Sequence, residues 1–197
     1  MQIRMLGRQD LLTAMHLVWD VFAEHTAPLY TPEGVEEFQK FIKIDHINDL
    51  FDRGELFFWG AYEGMELLGV GAMNKDGHIS LLDVRTMHQN KGVGRALFET
   101  MKQFCVQSMG IMRITVNAAP NAVGRYQALG FQINSQEQIH NGIRYVAMDH
   151  MVAPGDVQSA KKSNTGIIIG VIAAVVVLFV IAAVILVKGV TSIVSNE

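Results

Sequence analysis

The sequence predicts an α+β fold: a mixed, mostly antiparallel sheet of seven strands with about four helices, followed by one C-terminal transmembrane helix. Short runs rich in β-branched and aromatic residues alternate with glycine-containing turns, as in antiparallel sheets. One run leads through a glycine-bearing loop into an amphipathic helix, and a long apolar run lies near the C-terminus. The expected division is a domain at residues 1–152, a linker at 153–165, the transmembrane helix at 166–187 and a tail at 188–197.

Composition excludes some classes of partner and compartment. A chain of 197 residues has room for one ordinary domain with a sizeable core. A formal net charge of -3 gives no basic stripe, so nucleic acid is not expected as a partner. The single cysteine, Cys105, falls in the apolar stripe of a predicted helix and is expected to be buried. No internal disulfide is possible, which suits a reducing compartment.

The N-terminal segment is predicted to be a strand rather than a signal peptide. Residues 1–6 alternate in polarity and lack the basic flank and long apolar core of a signal peptide, so the N-terminus should stay in the cytosol. Asp10 is a plausible N-cap for a first helix ending near Pro28, and Thr31 for a second that runs to about Ile42. A further helical turn or two is expected at residues 45–52.

The strands that follow are separated by recognisable turns. Glu63-Gly64 and Asp76-Gly77 suit tight turns, so three antiparallel strands should form a meander, and Asn141-Gly142 suits a final hairpin. The helix after the meander crosses over to another strand, which implies a parallel pair. A short helix is expected at residues 121–129. The expected strands span residues 55–62, 66–74, 79–84, 111–116, 131–139 and 143–152.

The most informative stretch is the loop that leads into the central helix. Gly92 and Gly94 lack a Cβ, so the backbone can turn sharply and lie close to a ligand. The unpaired N–H groups of the first helical turn would bind a phosphate there. A glycine-assisted helix start without a ligand is the alternative. The expected buried stripe of this helix contains Val93, Leu97, Met101 and Phe104.

Spacing decides which phosphate ligand the loop suits. The pattern Gln89-x-x-Gly92-x-Gly94 matches neither the nucleoside triphosphatase loop nor the dinucleotide fingerprint. It resembles the pyrophosphate-binding motif of the GNAT superfamily of acyl-CoA-dependent N-acyltransferases. The resemblance implies acetyl-CoA as co-substrate, bound by Val84, Gln89, Asn90, Lys91, Gly92, Val93, Gly94, Arg95 and Asn117.

A second block carries the same resemblance. The pattern Tyr-x-x-x-Gly-Phe at residues 126–131 resembles the fourth helix of that superfamily, and Asn117 falls where its fifth strand ends. Both blocks come in the expected order, and the resemblance covers about residues 1–152. It implies that the fourth and fifth strands splay apart to hold the pantetheine arm, in a gap here bordered by Val84 and Asn117.

The resemblance also implies roles for single residues. Tyr126 would protonate the departing thiolate, because a phenol carries its proton at neutral pH; a core-packing tyrosine is the alternative. The Val84 N–H would polarise the acetyl carbonyl, and Asn117 would bind the pantetheine amide unless it is ordinary turn material. Lys91 and Arg95 would neutralise phosphates, with a solvated surface role as the alternative.

No general base and no metal site stand out. Asp83, Glu24 and His25 are all candidate bases, and each has a solvated position as its alternative. His78 and His88 have no metal-ligand spacing with a carboxylate or cysteine, so no metal is expected. The resembled family builds its acceptor pocket from the first two helices and the loop between them. Polyamine, amino sugar, antibiotic, peptide N-terminus and lysine all remain open as acceptors.

The C-terminal tail differs from the rest of the chain. Residues 166–187 contain no polar side chain, and a helix over residues 167–187, roughly 31 Å long, would match the hydrocarbon core of a bilayer. Lys161-Lys162 against the lone Lys188 favours a single-pass anchor with the large domain on the cytoplasmic side. A small-residue face suits a parallel homodimer, although such residues are also simply frequent in membrane spans; it contains Gly166, Gly170 and Ala174.

Together these features favour a membrane-anchored N-acetyltransferase that acts on a primary amine by direct attack in a ternary complex. The alternative from another class is a non-catalytic module that binds CoA or an amine and presents itself to a membrane partner. A structural, tail-anchored adaptor is the third possibility.

Overall fold

A computed structural model describes residues 1–153, and Met1–Ala153 forms one compact unit. The predicted linker beyond residue 153, the transmembrane helix at residues 166–187, its small-residue face and the tail at 188–197 lie outside the described residues. Within residues 1–153, none of the helices has the length and apolar character that a membrane crossing requires.

The described residues confirm the α+β class, with five α-helices and eight strands. The helices are α1 Leu11–His25, α2 Pro32–Phe41, α3 Ile44–Asp52, α4 Val93–Phe104 and α5 Val123–Ala128. The strands are β1 Gln2–Met5, β2 Leu56–Glu63, β3 Glu66–Asn74, β4 His78–Val84, β5 Arg113–Ala118, β6 Gln132–Ile133, β7 Gln138–His140 and β8 Ile143–Met151. The fifth helix arises because the turn or two expected at residues 45–52 forms a complete helix.

The sheet has the predicted mixture of pairings. Its order is β1-β2-β3-β4-β5-β8-β6, and β7 pairs with β8 away from this path. β1 to β4 form an antiparallel meander, while β4 and β5 are parallel because α4 crosses over between them. At the final hairpin, both Asn141 and Gly142 have positive φ, 48° and 73°, as a two-residue turn between twisted strands requires.

The prediction of a single strand at residues 131–139 is wrong, because that segment forms two short strands. Ile133 pairs with Met148 and Gln138 with Tyr145, so five steps along one strand match three along the other. The four residues between β6 and β7 are all polar and offer no apolar face to hold the register. The predicted strand at residues 111–116 is also shifted and occupies Arg113–Ala118.

The two predicted N-caps have different outcomes. The Thr31 hydroxyl accepts a hydrogen bond from the Gly34 N–H at 3.2 Å, which confirms it as the cap of α2. The side chain of Asp10 does not cap α1. A short 3-10 helix, Arg8–Asp10, precedes α1, so the Asp10 carboxylate instead accepts from the Gly7 N–H at 2.9 Å and pairs with Arg4 at 2.8 Å.

Apolar side chains fill both faces of the sheet. On one face α4 packs through Leu97, Phe98 and Met101, and on the other α1 packs through Leu17 and α3 through Ile47. All of these side chains are fully buried, so the sheet is a central layer between two helical layers. The predicted stripe of α4 is confirmed; of its four residues Val93, Leu97 and Met101 are buried and Phe104 is partly buried.

Cys105 begins a π-helical turn, Cys105–Met109, that follows α4 and ends at Gly110. The prediction that this cysteine is buried is confirmed, and its Sγ donates to the Met73 Sδ at 2.9 Å. Burial raises the pKa of the thiol to about 11, so it remains protonated at neutral pH.

Candidate active site

β4 and β5 are joined at one end and separate at the other. Only two residue pairs connect them, His78 with Thr115 and Ile79 with Val116. β4 continues to Val84, where its ladder with β3 persists, and β5 continues along β8. A cavity of about 370 Å³ lies at this opening, and the ends of both strands line it. The splayed gap implied by the resemblance is therefore present between Val84 and the end of β5.

Most of the predicted site residues line this one cavity. Those that do are Val84, Gln89, Asn90, Gly92, Gly94, Arg95, Asn117 and Tyr126. Lys91 and Val93 do not: Lys91 is exposed to solvent, and Val93 is turned into the core beneath α4. The roles of these ten residues, nine in cofactor binding and Tyr126 in catalysis, remain predictions, because geometry alone assigns no ligand to them.

We call the stretch 89–95 the glycine wall of the cavity. Gly92 is the N-cap residue of α4 and has φ 85°, the left-handed region that favours glycine. A Cβ at Gly92 would meet no heavy atom within 4 Å, so the requirement for glycine comes from backbone conformation rather than from packing. The N–H groups in the first turn of α4 have no intrahelical acceptor. This wall therefore offers backbone donors at the positive end of a helix dipole.

Two side chains of the glycine wall are held by other parts of the protein. The Gln89 side-chain amide donates to the Val84 carbonyl at 3.0 Å and ties the loop to the end of β4. The Arg95 guanidinium donates to the Ala128 carbonyl at 2.7 Å and ties α4 to the end of α5. Both contacts position backbone, so these side chains have structural partners besides any ligand.

Asp83 is the carboxylate that the sequence left undecided, and the structure places it in the cavity. Its neighbours on β4 show which way it faces: Leu81 belongs to the core beneath α1, whereas Leu82 and Val84 pack against the core beneath α4. Asp83 alternates with Leu82 and Val84 and so faces the α1 side. Burial raises the pKa of this carboxyl to about 7, and Arg125 opposes the rise. A group with this pKa can both accept and release a proton near neutrality.

Tyr126 lies on α5 and is 9% exposed. Burial is the main cause that raises the pKa of its phenol, and the negative charge of Asp83 adds to the rise. The ring also packs edge-on against Phe131, with centroids 5.3 Å apart. Tyr126 therefore has both features considered from the sequence: a retained proton facing a cavity and a ring in the core.

The opposite side of the cavity is aromatic, and we call Phe22, Tyr30 and Phe38 the aromatic wall. The Phe22 and Phe38 rings stack with centroids 3.9 Å apart, and Tyr30 meets Phe22 edge-on at 5.7 Å. The Tyr30 hydroxyl donates to the Arg144 carbonyl at 3.1 Å, and burial raises the pKa of its phenol to about 12. The sequence does not reveal this wall, because the apolar spacing of α1 and α2 is the same whether a ring lines a core or a cavity.

The two other candidate bases lie at the rim. His25 lines the cavity, and its Nε2 is 2.8 Å from the Thr86 hydroxyl. That hydroxyl donates to Glu24 at 2.7 Å, while the Asn121 amide donates to the His25 carbonyl at 2.8 Å. Glu24 is exposed and does not line the cavity. This network fastens the end of α1 to the segment that follows β4.

Potential metal ligands are dispersed in the described part of the chain. Residues 1–153 contain no group of three His, Cys, Asp or Glu side chains placed to hold a metal ion. The His78 Nδ1 lies 2.9 Å from the Thr115 hydroxyl, and burial lowers the pKa of its imidazole. His88 lies 3.6 Å from Glu66 on the surface.

Comparison with known proteins identifies the family of this domain. Residues 26–152 match the model of the acetyltransferase (GNAT) domain. No curated protein sequence is significantly similar to this chain. Solved structures share the fold at low identity. A GCN5-related N-acetyltransferase from Rhodopseudomonas palustris has a TM-score of 0.66 and 17% identity, over 77% of this chain and 95% of that one.

Two further structures are similar in the same way. The PaiA N-acetyltransferase from Thermoplasma acidophilum, solved in complex with coenzyme A, has a TM-score of 0.65 and 18% identity, over 76% of this chain and 98% of that one. A spermidine N-acetyltransferase mutant from Vibrio cholerae has a TM-score of 0.53 and 15% identity, over 77% of this chain and 95% of that one. At these identities the similarity shows the fold alone.

Proposed function

The chain belongs to the GNAT family of acetyltransferases, and we propose that it moves an acetyl group from acetyl-CoA to a primary amine by direct attack in a ternary complex. The observation that carries this proposal is that one cavity joins the helix start at Gly92, the carboxyl of Asp83 and the phenol of Tyr126. The first is suited to a phosphate, the second to accepting a proton and the third to donating one.

The glycine wall is the proposed site of the acetyl-CoA pyrophosphate. Backbone N–H groups from Gly92 onward provide donors, and the absence of a Cβ at Gly92 leaves the approach open. Asn117 lies across the gap from β4, where its amide would hydrogen-bond the pantetheine arm. The Val84 N–H is the proposed group that polarises the thioester carbonyl, since Gln89 holds the same residue's carbonyl and fixes the end of the strand.

The chemistry requires a neutral amine, and Asp83 is the proposed base. An amine in water is largely an ammonium ion, so one proton must leave before attack, and the Asp83 carboxylate can receive it. The nitrogen then attacks the thioester carbon and the C–S bond breaks. Tyr126 donates its proton to the departing thiolate and regains one from the amide nitrogen. One acetyl-amine, one free CoA and one released proton result.

We also propose that residues 166–187 anchor the enzyme to a membrane, with the catalytic domain on the cytoplasmic side. The support is the apolar run itself, the Lys161-Lys162 pair before it and the cytosolic supply of acetyl-CoA. A homodimer through Gly166, Gly170 and Ala174 belongs to the same proposal. In intact right-side-out vesicles the cytoplasmic side is the interior, so protease added outside should spare the domain. Cleavage of the domain by that protease would contradict this orientation.

Turnover by the full chain tests the catalytic proposal. The protein, purified in mild detergent, is mixed with acetyl-CoA and a panel of amines, and free CoA is followed with a thiol reagent. Tyr126→Phe should lower kcat by a factor of about 10² to 10⁴ while acetyl-CoA affinity changes little. Tyr62→Phe is the matched control, because that partly buried tyrosine lies on β2, outside the cavity.

Two outcomes would contradict the proposal in different ways. A near-wild-type kcat in Tyr126→Phe would remove the acid role and leave the fold and family standing. Binding of CoA by the wild-type chain without acetylation of any amine would instead favour the non-catalytic module.

A further inference from the structure

We infer that the acceptor is an amine with one cationic centre and an aromatic or other apolar body, rather than a polyamine. This inference rests on the proposed function and names its substrate class. It comes from the contrast inside the cavity between one carboxylate at the reaction centre and a wall of rings beside it.

Charge is the first observation. Among the described residues, Asp83 is the only carboxylate that lines the cavity. It is also the group that must accept the proton of the reacting amine, so it is not available to pair with a second ammonium group. A second ammonium group would enter the cavity without a carboxylate of its own, and an unpaired buried charge is strongly unfavourable. Glu24, in the last turn of α1, is outside the lining and accepts a hydrogen bond from Thr86.

The rings are the second observation. Phe22 and Phe38 lie 17° from parallel and cover one face of each other, and Tyr30 meets Phe22 in a T-shaped arrangement. One π face of each phenylalanine is thereby covered by the other ring and is closed to a cation. What the wall offers a ligand is apolar contact area, which favours an aromatic or branched aliphatic group.

The wall is also held in place from outside the cavity. A Cβ at Gly34, near the start of α2, would clash with the Gly142 carbonyl, so α2 and the β7–β8 turn are in direct backbone contact. The Tyr30 hydroxyl is bound to the Arg144 carbonyl on β8. A fixed apolar surface discriminates by shape, because it does not rearrange to place new polar groups around a second charge.

The aromatic wall and Asp83 line the same cavity on the same side of the sheet. Asp83 points to the α1 side of the sheet, and the aromatic wall is built from the end of α1 and from α2. An amine that presents its nitrogen to Asp83 therefore has its body against Phe22 and Phe38. Its ring or alkyl chain leaves water on binding, which lowers its KM.

The test compares amines of matched length on the full chain with acetyl-CoA, measured as release of free CoA. Phenethylamine, n-butylamine and putrescine are sufficient, because n-butylamine and putrescine share a carbon chain and differ by one ammonium group. We expect kcat/KM to fall in that order, with n-butylamine exceeding putrescine by roughly tenfold or more, as for one poorly matched group.

Two variants test whether the aromatic wall causes the preference for phenethylamine. Phe38→Leu should raise the KM for phenethylamine severalfold and leave acetyl-CoA affinity unchanged. Phe41→Leu makes the same change on the same helix at a ring that does not line the cavity, so the preference should survive there. A melting curve for each variant separates lost folding from lost recognition.

Failure of this inference differs from failure of the proposed function. Faster acetylation of putrescine or spermidine than of n-butylamine would overturn the inference and leave an acetyltransferase. Equal effects of the two phenylalanine variants would also overturn it. No turnover with any amine, although acetyl-CoA binds, would remove both.

Discussion

The two walls of the cavity are built in opposite ways. The glycine wall is one continuous stretch of the chain, and its chemistry lies in the backbone at the start of α4. The aromatic wall gathers rings from α1, the following turn and α2, and contacts more than a hundred residues away in sequence hold it, such as Tyr30 with Arg144. A site made of consecutive residues leaves a pattern in the sequence, whereas a site assembled by folding does not.

The largest effect is expected at Asp83, which lines the cavity but belongs to neither wall. In Asp83→Asn the carboxylate is lost and the shape is kept, so kcat should fall by a factor of about 10² to 10⁴. In the wild type, the rate should rise as pH passes through about 7, because the base must be deprotonated. The pH profile of kcat checks this: the rise should disappear in Asp83→Asn.

The same group predicts a stability effect with a definite sign. Its folded pKa of about 7 is above the ordinary value of 3.8, so the native state holds the proton more tightly than the unfolded chain. Stability should therefore decline as pH rises from about 4 through 7, and less so in Asp83→Asn. Asp149→Asn is the matched control, because Asp149 is a half-buried partner of Arg113 outside the cavity. Identical pH profiles for the two variants would contradict the role of Asp83.

The next effect isolates the glycine wall. Gly92→Val should weaken acetyl-CoA binding at least tenfold, because a β-branched residue resists φ 85° and the loop must change its conformation. Titration calorimetry measures this loss. Gly110→Val is the control: Gly110 has φ 67°, an equally open surrounding and a place at the other end of the same helical segment. Both variants should lose similar stability, and only Gly92→Val should lose affinity.

A smaller effect isolates the aromatic wall through its support. The methyl group of Gly34→Ala would press on the Gly142 carbonyl, which should cost about 1–3 kcal/mol of stability and raise the KM for the amine. The acetyl-CoA affinity should stay near that of the wild type. Gly124→Ala provides the contrast, because its Cβ meets nothing and a helical alanine should stabilise by about 0.5–1 kcal/mol. If Gly34→Ala lowered acetyl-CoA affinity instead, the two walls would not be independent.

The smallest effect concerns Lys91, whose expected role in cofactor binding follows from the family resemblance and which is exposed and outside the cavity lining. Lys91→Ala should weaken acetyl-CoA binding by only about two- to fivefold, as for a screened surface charge. The loss should shrink at high salt. A salt-independent loss of tenfold or more would place this lysine directly on a phosphate.

Features that depend on near neighbours in the sequence were predictable, and features that depend on distant contacts were not. The turn at Asn141-Gly142, the cap at Thr31 and the glycine at the start of α4 were predictable because each depends on near neighbours. Asp83 was not assignable, because its neutral-range pKa depends on burial by elements distant in sequence. Asp10 was misassigned for a related reason: an unexpected 3-10 turn and Arg4 compete for its carboxylate.

The break between β4 and β5 makes the empty and filled sites distinguishable by hydrogen exchange. Beyond Ile79 and Val116 the facing edges of these strands have no ladder between them, so amide hydrogens directed into the gap rely on solvent or a ligand. They should exchange with deuterium far sooner than those of β2 and β3, which are paired along their length. Acetyl-CoA should slow exchange at residues 80–84, near Asn117 and in the first turn of α4, so occupancy of the gap can be followed before any acceptor is known.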